Sequence, residues 1–166
     1  RIPQQGWVLS LGPGRAAREG AMFHVGDRVH WDVATTPDEA DVRWPQAADV
    51  VSGGPLLLRH GRRVTDWSTE SFARVFCEAR HPRTALGVKA DGNLLLVTVD
   101  GRRPEWSVGM SLPELTDLLL ELGAVDAINL DGGGSTTMVV GDQVINRPSD
   151  PTGERENGDA ILVIAH

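Results

Sequence analysis

Residues 124–137, AVDAINLDGGGSTT, decide how the chain is read. An apolar run of Ala124, Val125, Ala127 and Ile128 ends in Asn129 and Asp131 and then breaks into three consecutive glycines. This is the pattern of a strand delivering polar groups into a tight turn. Glycine has more backbone freedom to lose on folding than any other residue. Three in a row therefore imply a turn that needs positive φ or the close approach of another group to the backbone. Backbone N–H groups in such a turn can converge on an anion, and Ser135, Thr136 and Thr137 add hydroxyls behind them. The plainer reading is a structural turn in which Asp131 caps its own backbone. Asn129 and Asp131 stand two positions apart, which puts both on one strand face and favours a shared pocket.

Immediately upstream lies the clearest helix signal. Ser111 and Glu114 make a capping box, Pro113 falls in the first turn, and Leu112, Leu115, Leu118, Leu119 and Leu122 form one apolar stripe that Gly123 ends. Before the helix, residues 85–89 and 94–99 are apolar strands around Asp91-Gly92-Asn93, a strong hairpin signal. Strand 94–100, helix 111–122 and strand 124–131 form a crossover, placing the glycine turn at a strand's C-terminal end, where α/β sheets bind ligands. Arg83 and Thr84 sit at the entrance to the first of these strands, where a guanidinium fork can meet a phosphate or carboxylate; the alternative is a solvated arginine paired with Glu78.

The outer segments read as short elements joined by turns. A second glycine turn, Ser52 to Pro55, precedes a strand at 56–58, and Ser68 opens a short helix through Cys77. Downstream, 136–140 and 143–146 form a hairpin around Gly141-Asp142. Residues 147–158 form a polar loop holding Glu154 and Arg155, and 160–165 a final buried strand. Near the start, strands are expected at 7–10 and 28–35, with one or two helical turns at 15–23.

A length of 166 residues predicts one domain spanning 1–166. The 19 glycines and 10 prolines agree with many short elements. With 23 acidic against 16 basic residues the net charge is −7, which argues against a generic nucleic-acid surface and against anionic membranes. An anionic ligand must then be met by local arginines, since Lys89 is the only lysine. Cys77 is the only cysteine, so no intrachain disulfide forms, and it reads as a buried inert thiol. His24 and His30 complete no metal-ligand spacing. No stretch approaches the ~20 apolar residues of a membrane span. The chain begins at Arg1 and shows no signal-peptide pattern, so it reads as a processed or truncated piece.

Three segments together, SGGPLLLRHG (52–61), RTALGVKADGNLLLVTVDGR (83–102) and INLDGGGSTTMVVGDQVINRPSDPTGERENGDAILV (128–163), resemble the phosphodiester glycosidase family. The resemblance implies an α+β fold, a mixed and largely antiparallel sheet with a few packed helices. It also implies a hydrolase that cleaves a sugar-1-phosphodiester at the glycosidic bond. The sugar is of the N-acetylglucosamine type, the setting is cell-envelope or exopolysaccharide glycans, and the location is secreted or envelope-bound. Two departures accompany it. An Asn-Gly-x-Phe-Phe segment usual upstream in the family is absent, so a missing N-terminal segment supplied by another chain is a conceivable partner. Asp159 also stands where the family tends to have asparagine.

The chemistry of such a substrate assigns roles. A phosphodiester is anionic and needs guanidinium or N–H donors, while the anomeric carbon develops positive charge that a carboxylate stabilises. Asp131 is the first candidate for the catalytic carboxylate, with Glu154 as its partner. Arg83, Thr84, Asn129, Gly132, Gly133, Gly134, Ser135, Asn146, Arg147 and Arg155 are the candidates for binding the sugar-phosphate or glycan. No cofactor is demanded. A divalent cation held by Asp100, Asp131 and Glu154 would instead make a phosphodiesterase that breaks P–O, and a third reading is a non-catalytic sugar-binding module.

Overall fold

The computed structural model describes residues 18, 20–30 and 50–164. By its contacts the chain divides into two units, residues 1–49 and 50–166. In the first, Gly20–Met22 forms a single 3₁₀ turn and residues 28–30 carry no strand; the expected strand at 7–10 and the rest of the one at 28–35 lie outside the described residues.

The second unit is built on a five-stranded sheet. Strand β1 is Leu56–Arg59, β2 Arg62–Arg63, β3 Arg83–Lys89, β4 Leu94–Val99 and β5 Ala124–Asn129, in the order β2-β1-β5-β3-β4. Every neighbouring pair is antiparallel. The β3–β4 hairpin runs in unbroken register from Arg83 opposite Val99 to Val88 opposite Leu94. Its turn forms as the sequence predicts: Gly92 takes φ +85°, and Asp91 accepts hydrogen bonds from the Asn93 backbone at 3.0 Å and side chain at 2.9 Å.

Two helices cover one face of the sheet. The short α1, Arg74–Glu78, and the longer α2, Leu112–Glu121, contribute Cys77, Leu112, Leu115 and Leu119 to the core. These meet Leu57 and Leu58 of β1, Ala85 of β3, and Ala124 and Ala127 of β5. Along β3 the residues facing the helices are Arg83, Ala85 and Gly87, alternate positions as a strand requires. Small side chains there let α2 come close: a Cβ at Gly87 would meet Leu119 Cδ2 at 3.4 Å and Ala124 Cβ at 3.3 Å. Each fully buried leucine contributes about 1.5–3 kcal/mol by leaving water.

Helix α2 starts at the predicted capping box. Ser111 Oγ accepts from Glu114 N, and Glu114 Oε2 accepts from Ser111 N at 2.9 Å. Arg80 donates to the same carboxylate, and the Glu114 carboxyl is held below its ordinary value, first by the Ser111 backbone and then by Arg80. Ser111→Ala is expected to cost about 1 kcal/mol, read as a lower urea midpoint at unchanged m-value. Gly123 then ends the helix at φ +88° and turns the chain into β5. Because β3 lies between β4 and β5 and is antiparallel to both, β4 and β5 run parallel, and the β4–α2–β5 segment is the expected crossover.

Two expectations change. The segment opened by Ser68 is a 3₁₀ turn, Ser68–Glu70, separated from α1 by Ser71 at φ +63°, rather than one helix through Cys77. Residues 160–164 form no strand and are exposed, with Leu162, Val163 and Ile164 each more than 70% accessible. Their β-forming composition is a local signal, and a strand also needs a ladder partner, which they do not find among the described residues. The hairpin downstream of the glycine turn does form, as β6 (Val139–Val140) and β7 (Gln143–Val144) around Gly141 at φ +59°.

Candidate active site

Strand β5 ends at Asn129, and the glycine turn follows as a 3₁₀ turn, Gly133–Ser135, set against the start of β3. Leu130 N donates to Thr84 O at 2.8 Å and Gly133 N to Pro82 O at 2.9 Å. Gly132 lies flush on that segment, where a Cβ would meet Pro82 O at 2.8 Å. The next two glycines make room for side chains. A Cβ at Gly133 would meet the Arg102 guanidinium at 3.0–3.3 Å, and one at Gly134 would collide with Asp150 Oδ1 and the Arg155 guanidinium. The triple glycine thus answers three close approaches, one of backbone and two of charged side chains.

The turn's own N–H groups are largely engaged. Gly132 N donates to Asp131 Oδ1 at 2.9 Å, Ser135 N to Gly132 O at 3.1 Å and Thr136 N to Gly133 O at 3.3 Å, besides the Gly133 bond above. A nest of glycine N–H groups free to hold an anion, as the sequence suggested, is therefore not what this turn offers. Positive charge near it comes from guanidiniums.

Asp131 is exposed, and the bond from Gly132 N fixes one of its oxygens, as the Asx-capping reading expects. Asn129, in contrast, is 3% exposed and points inward, donating to Gly54 O at 2.7 Å and Leu130 O at 2.9 Å. With Gly54 N donating to Asn129 O at 2.7 Å, it clamps the second glycine turn against the first. The two side chains therefore do not share a pocket, because the strand ends between them. The second glycine turn does stand beside the site, since a Cβ at Gly53 would meet Leu130 Cδ2 at 2.7 Å.

Arg83 departs most from expectation. Only 2% exposed, it sends its guanidinium away from the glycine turn and into the helix layer. There Nε donates to Met110 O at 2.9 Å, and Nη2 to Phe76 O at 3.0 Å and Ala79 O at 2.8 Å. The carbon of the guanidinium sits 4.8 Å above the Phe76 ring. The last carbonyls of a helix lack intrahelical donors, and Arg83 supplies them at the end of α1. Burial pushes its pKa down. Glu78 does not receive this fork; it pairs with Arg74 at 2.6 Å. Thr84 Oγ1 meets Thr136 Oγ1 at 3.3 Å, bridging β3 to the glycine turn.

A second cluster hangs from Asp100, at the end of β4. Its Oδ1 accepts from Arg147 N at 2.8 Å and Asn146 Nδ2 at 3.3 Å, and its Oδ2 from Trp106 Nε1 at 2.9 Å. Asn146 also donates to Thr136 O at 2.9 Å and accepts from Met138 N at 2.8 Å, so it is a clip between loops rather than a ligand-facing amide. Arg147 lays its guanidinium 3.6 Å over the Trp106 ring. Arg103 ties the same loops by donating to Pro148 O at 3.1 Å. Asp100 thereby holds together the 100–103 turn and the 146–148 loop, both beside the glycine turn.

Arg155 reaches the glycine turn as expected, but it is paired: its Nε donates to Asp150 Oδ2 at 2.8 Å. Glu154, on the neighbouring turn, is exposed. Ser135 is half-buried within the turn. Among the described residues no three His, Cys, Asp or Glu side chains gather as a metal set. Sequence reasoning missed Arg102 and Asp150. Their only hints were their places in turns, Asp100-Gly101-Arg102-Arg103 and Pro148-Ser149-Asp150-Pro151, where local chemistry does not show which way a side chain points.

Fold and site define a mixed α/β domain in which an exposed carboxylate and two guanidiniums, those of Arg102 and Arg155, collect at one glycine turn between loops. A family model described as phosphodiester glycosidase matches residues 2–164, and the chain belongs to that family. It is 43% identical over 111 residues to N-acetylglucosamine-1-phosphodiester alpha-N-acetylglucosaminidase of Bos taurus, an overlap of 61% of this chain and 20% of that protein. It is 42% identical over 71 residues to the SPbeta prophage-derived uncharacterized protein YomE of Bacillus subtilis, covering 43% of this chain and 11% of that one. Among solved structures, the zebrafish N-acetylglucosamine-1-phosphodiester alpha-N-acetylglucosaminidase catalytic domain, auto-inhibited by its pro-peptide, superimposes with a TM-score of 0.51 at 33% identity. That match covers 60% of this chain and 35% of that chain. A hypothetical protein from Synechocystis gives a TM-score of 0.52 at 41% identity over 58% of this chain and 18% of that chain. The chain thus spans a fifth or less of the bovine and Bacillus proteins.

Proposed function

We propose that this domain hydrolyses a sugar-1-phosphodiester at the bond between the anomeric carbon and the phosphate oxygen. The sugar is N-acetylglucosamine or close to it, and the substrate is a phosphorylated glycan of the cell envelope or an exopolysaccharide, met outside the cytoplasm. The observation that carries this reading is the exposed Asp131 carboxylate, fixed by its own turn beside guanidiniums, in a chain of the phosphodiester glycosidase family. Among the described residues no helix is long and apolar enough to cross a membrane.

The geometry supports the following division of labour. Asp131 keeps one oxygen in the Gly132 N–H bond and presents the other to the anomeric carbon, where it stabilises developing oxocarbenium charge. Guanidiniums at the turn neutralise the phosphate as the C–O bond breaks. Water supplies the new hydroxyl at the anomeric carbon, and the departing phosphate monoester takes the electron pair. A phosphate leaves far more readily than an alkoxide, so one carboxylate can serve the step. Glu154, exposed on the adjoining loop, is the candidate for accepting the proton of the attacking water.

Hydrolysis of a methyl N-acetylglucosamine-1-phosphodiester in ¹⁸O-water tests this. The label is expected in the sugar. Label in the phosphate would mean P–O cleavage and overturn the glycosidase reading, and binding without turnover would leave a recognition module.

A further inference from the structure

Two of the three glycine N–H groups, those of Gly132 and Gly133, are engaged within the protein, Arg83 is buried in the helix layer, Arg155 is paired with Asp150, and the Arg147 guanidinium is stacked on Trp106. The anion required by the proposed reaction must therefore be met by another cation. Arg102 has the geometry for it. Its guanidinium lies against Gly133, so close that a Cβ at 133 would press on it at 3.0–3.3 Å. Among the described residues it has no carboxylate partner, although acidic residues outnumber basic ones in the chain.

The backbone at Arg102 is also unusual. It takes φ +60°, a left-handed conformation that side chains other than Gly, Asn and Asp seldom adopt, in a turn fixed on both sides. Before it, Gly101 is wedged between Pro82 and Gly109, and after it Arg103 N donates to Ser107 O at 2.9 Å. A glycine at 102 would adopt this conformation without steric cost. Residues held in strained backbone regions cluster at ligand sites because the direction of the side chain repays the strain. Here the strain aims a fork of N–H donors along the surface of the glycine turn that carries Asp131.

We propose that Arg102 is the residue that binds the non-bridging oxygens of the substrate's phosphodiester, through Nη1 and Nη2, at the face of Gly133. Gly133 takes φ +61°, which itself favours glycine, and its missing side chain leaves room for this guanidinium and the anion beside it. The proposal rests on the glycosidase reading for the identity of the substrate, but not for the existence of the anion site. It sets specificity: a sugar lacking the 1-phosphate makes no contact with Arg102 and binds no better in its presence.

Arg102→Gly is the discriminating variant, because it relieves the backbone while removing the fork. In the 166-residue chain it is expected to melt at or above the wild-type temperature. Its affinity for inorganic phosphate by calorimetry should fall about 10- to 100-fold, the range of a charge-assisted hydrogen bond. Affinity for free N-acetylglucosamine should not change. R102K, which keeps charge but not the fork, should recover part of the phosphate affinity, and R102Q provides the same readout should the glycine variant fail to fold. Unchanged phosphate affinity in these variants, or a wild-type protein that binds no phosphate, overturns the assignment. So does a lowered melting temperature with intact affinity, which would make Arg102 a structural brace. Wild-type protein that loses phosphate with Arg102 yet cleaves no diester leaves the anion site standing and overturns the glycosidase reading alone.

Discussion

Asp131→Asn is expected to lower kcat on a sugar-1-phosphodiester by about 10³-fold while leaving the melting temperature unchanged. The two halves of this expectation come from different parts of the geometry. An asparagine Oδ1 can still accept from Gly132 N, so the turn keeps its one bond to this side chain. The residue is exposed, so its replacement disturbs no packing. What disappears is the negative charge proposed to face the anomeric carbon, and stabilising charge in the transition state is usually the largest single catalytic contribution. Glu154→Gln in parallel should cost less, since proton acceptance from water typically contributes about 10²-fold or more, and a phosphate leaving group lightens that demand. Near-normal turnover in the Asp131 variant would remove it from the reaction and shift attention to Asp150, the other carboxylate at the glycine turn.

The parts of this molecule that could be read from sequence are those fixed by local chemistry. The β3–β4 hairpin follows from Asp91-Gly92 between alternating apolar residues, and α2 from Ser111, Glu114 and a leucine stripe. Once these are placed, the crossover into β5 and the exit into the glycine turn follow by connectivity. Side-chain direction was not legible in the same way. Nothing in the local sequence tells Arg83 to point toward α1 rather than the turn, because the acceptors that draw it, Phe76 O, Ala79 O and Met110 O, come from two other segments. Asn129 and Asp131 illustrate the same limit. Their spacing puts them on one face only while the strand lasts, and β5 stops between them. Arg102 was hidden for the converse reason: φ +60° at an arginine runs against its conformational preference, so no propensity argument predicts it.

Arg83→Met is expected to destabilise the fold by about 3 kcal/mol and to leave the anion site of the surviving folded protein intact. The carbonyl oxygens of Phe76 and Ala79 depend on this guanidinium, whereas Met110 O keeps a second donor in His81 N at 3.2 Å; methionine has the length to fill the space but no N–H to offer. Each buried carbonyl left without a donor costs about 1–3 kcal/mol. An opposing effect must be subtracted. Burial already penalises the charged guanidinium, as its lowered pKa shows, and a neutral side chain escapes that penalty. The cation–π contact with Phe76 partly compensates the buried charge, and it too is lost, worth about 1 kcal/mol or more away from water. The balance remains destabilising because the carbonyls of Phe76 and Ala79 end a helix of only five residues, which has little stability of its own to keep its last turn closed. Urea denaturation gives the first quantity, and phosphate calorimetry well below the unfolding midpoint gives the second. A variant of wild-type stability that had lost phosphate affinity would return Arg83 to the ligand and displace Arg102 from the role argued for it.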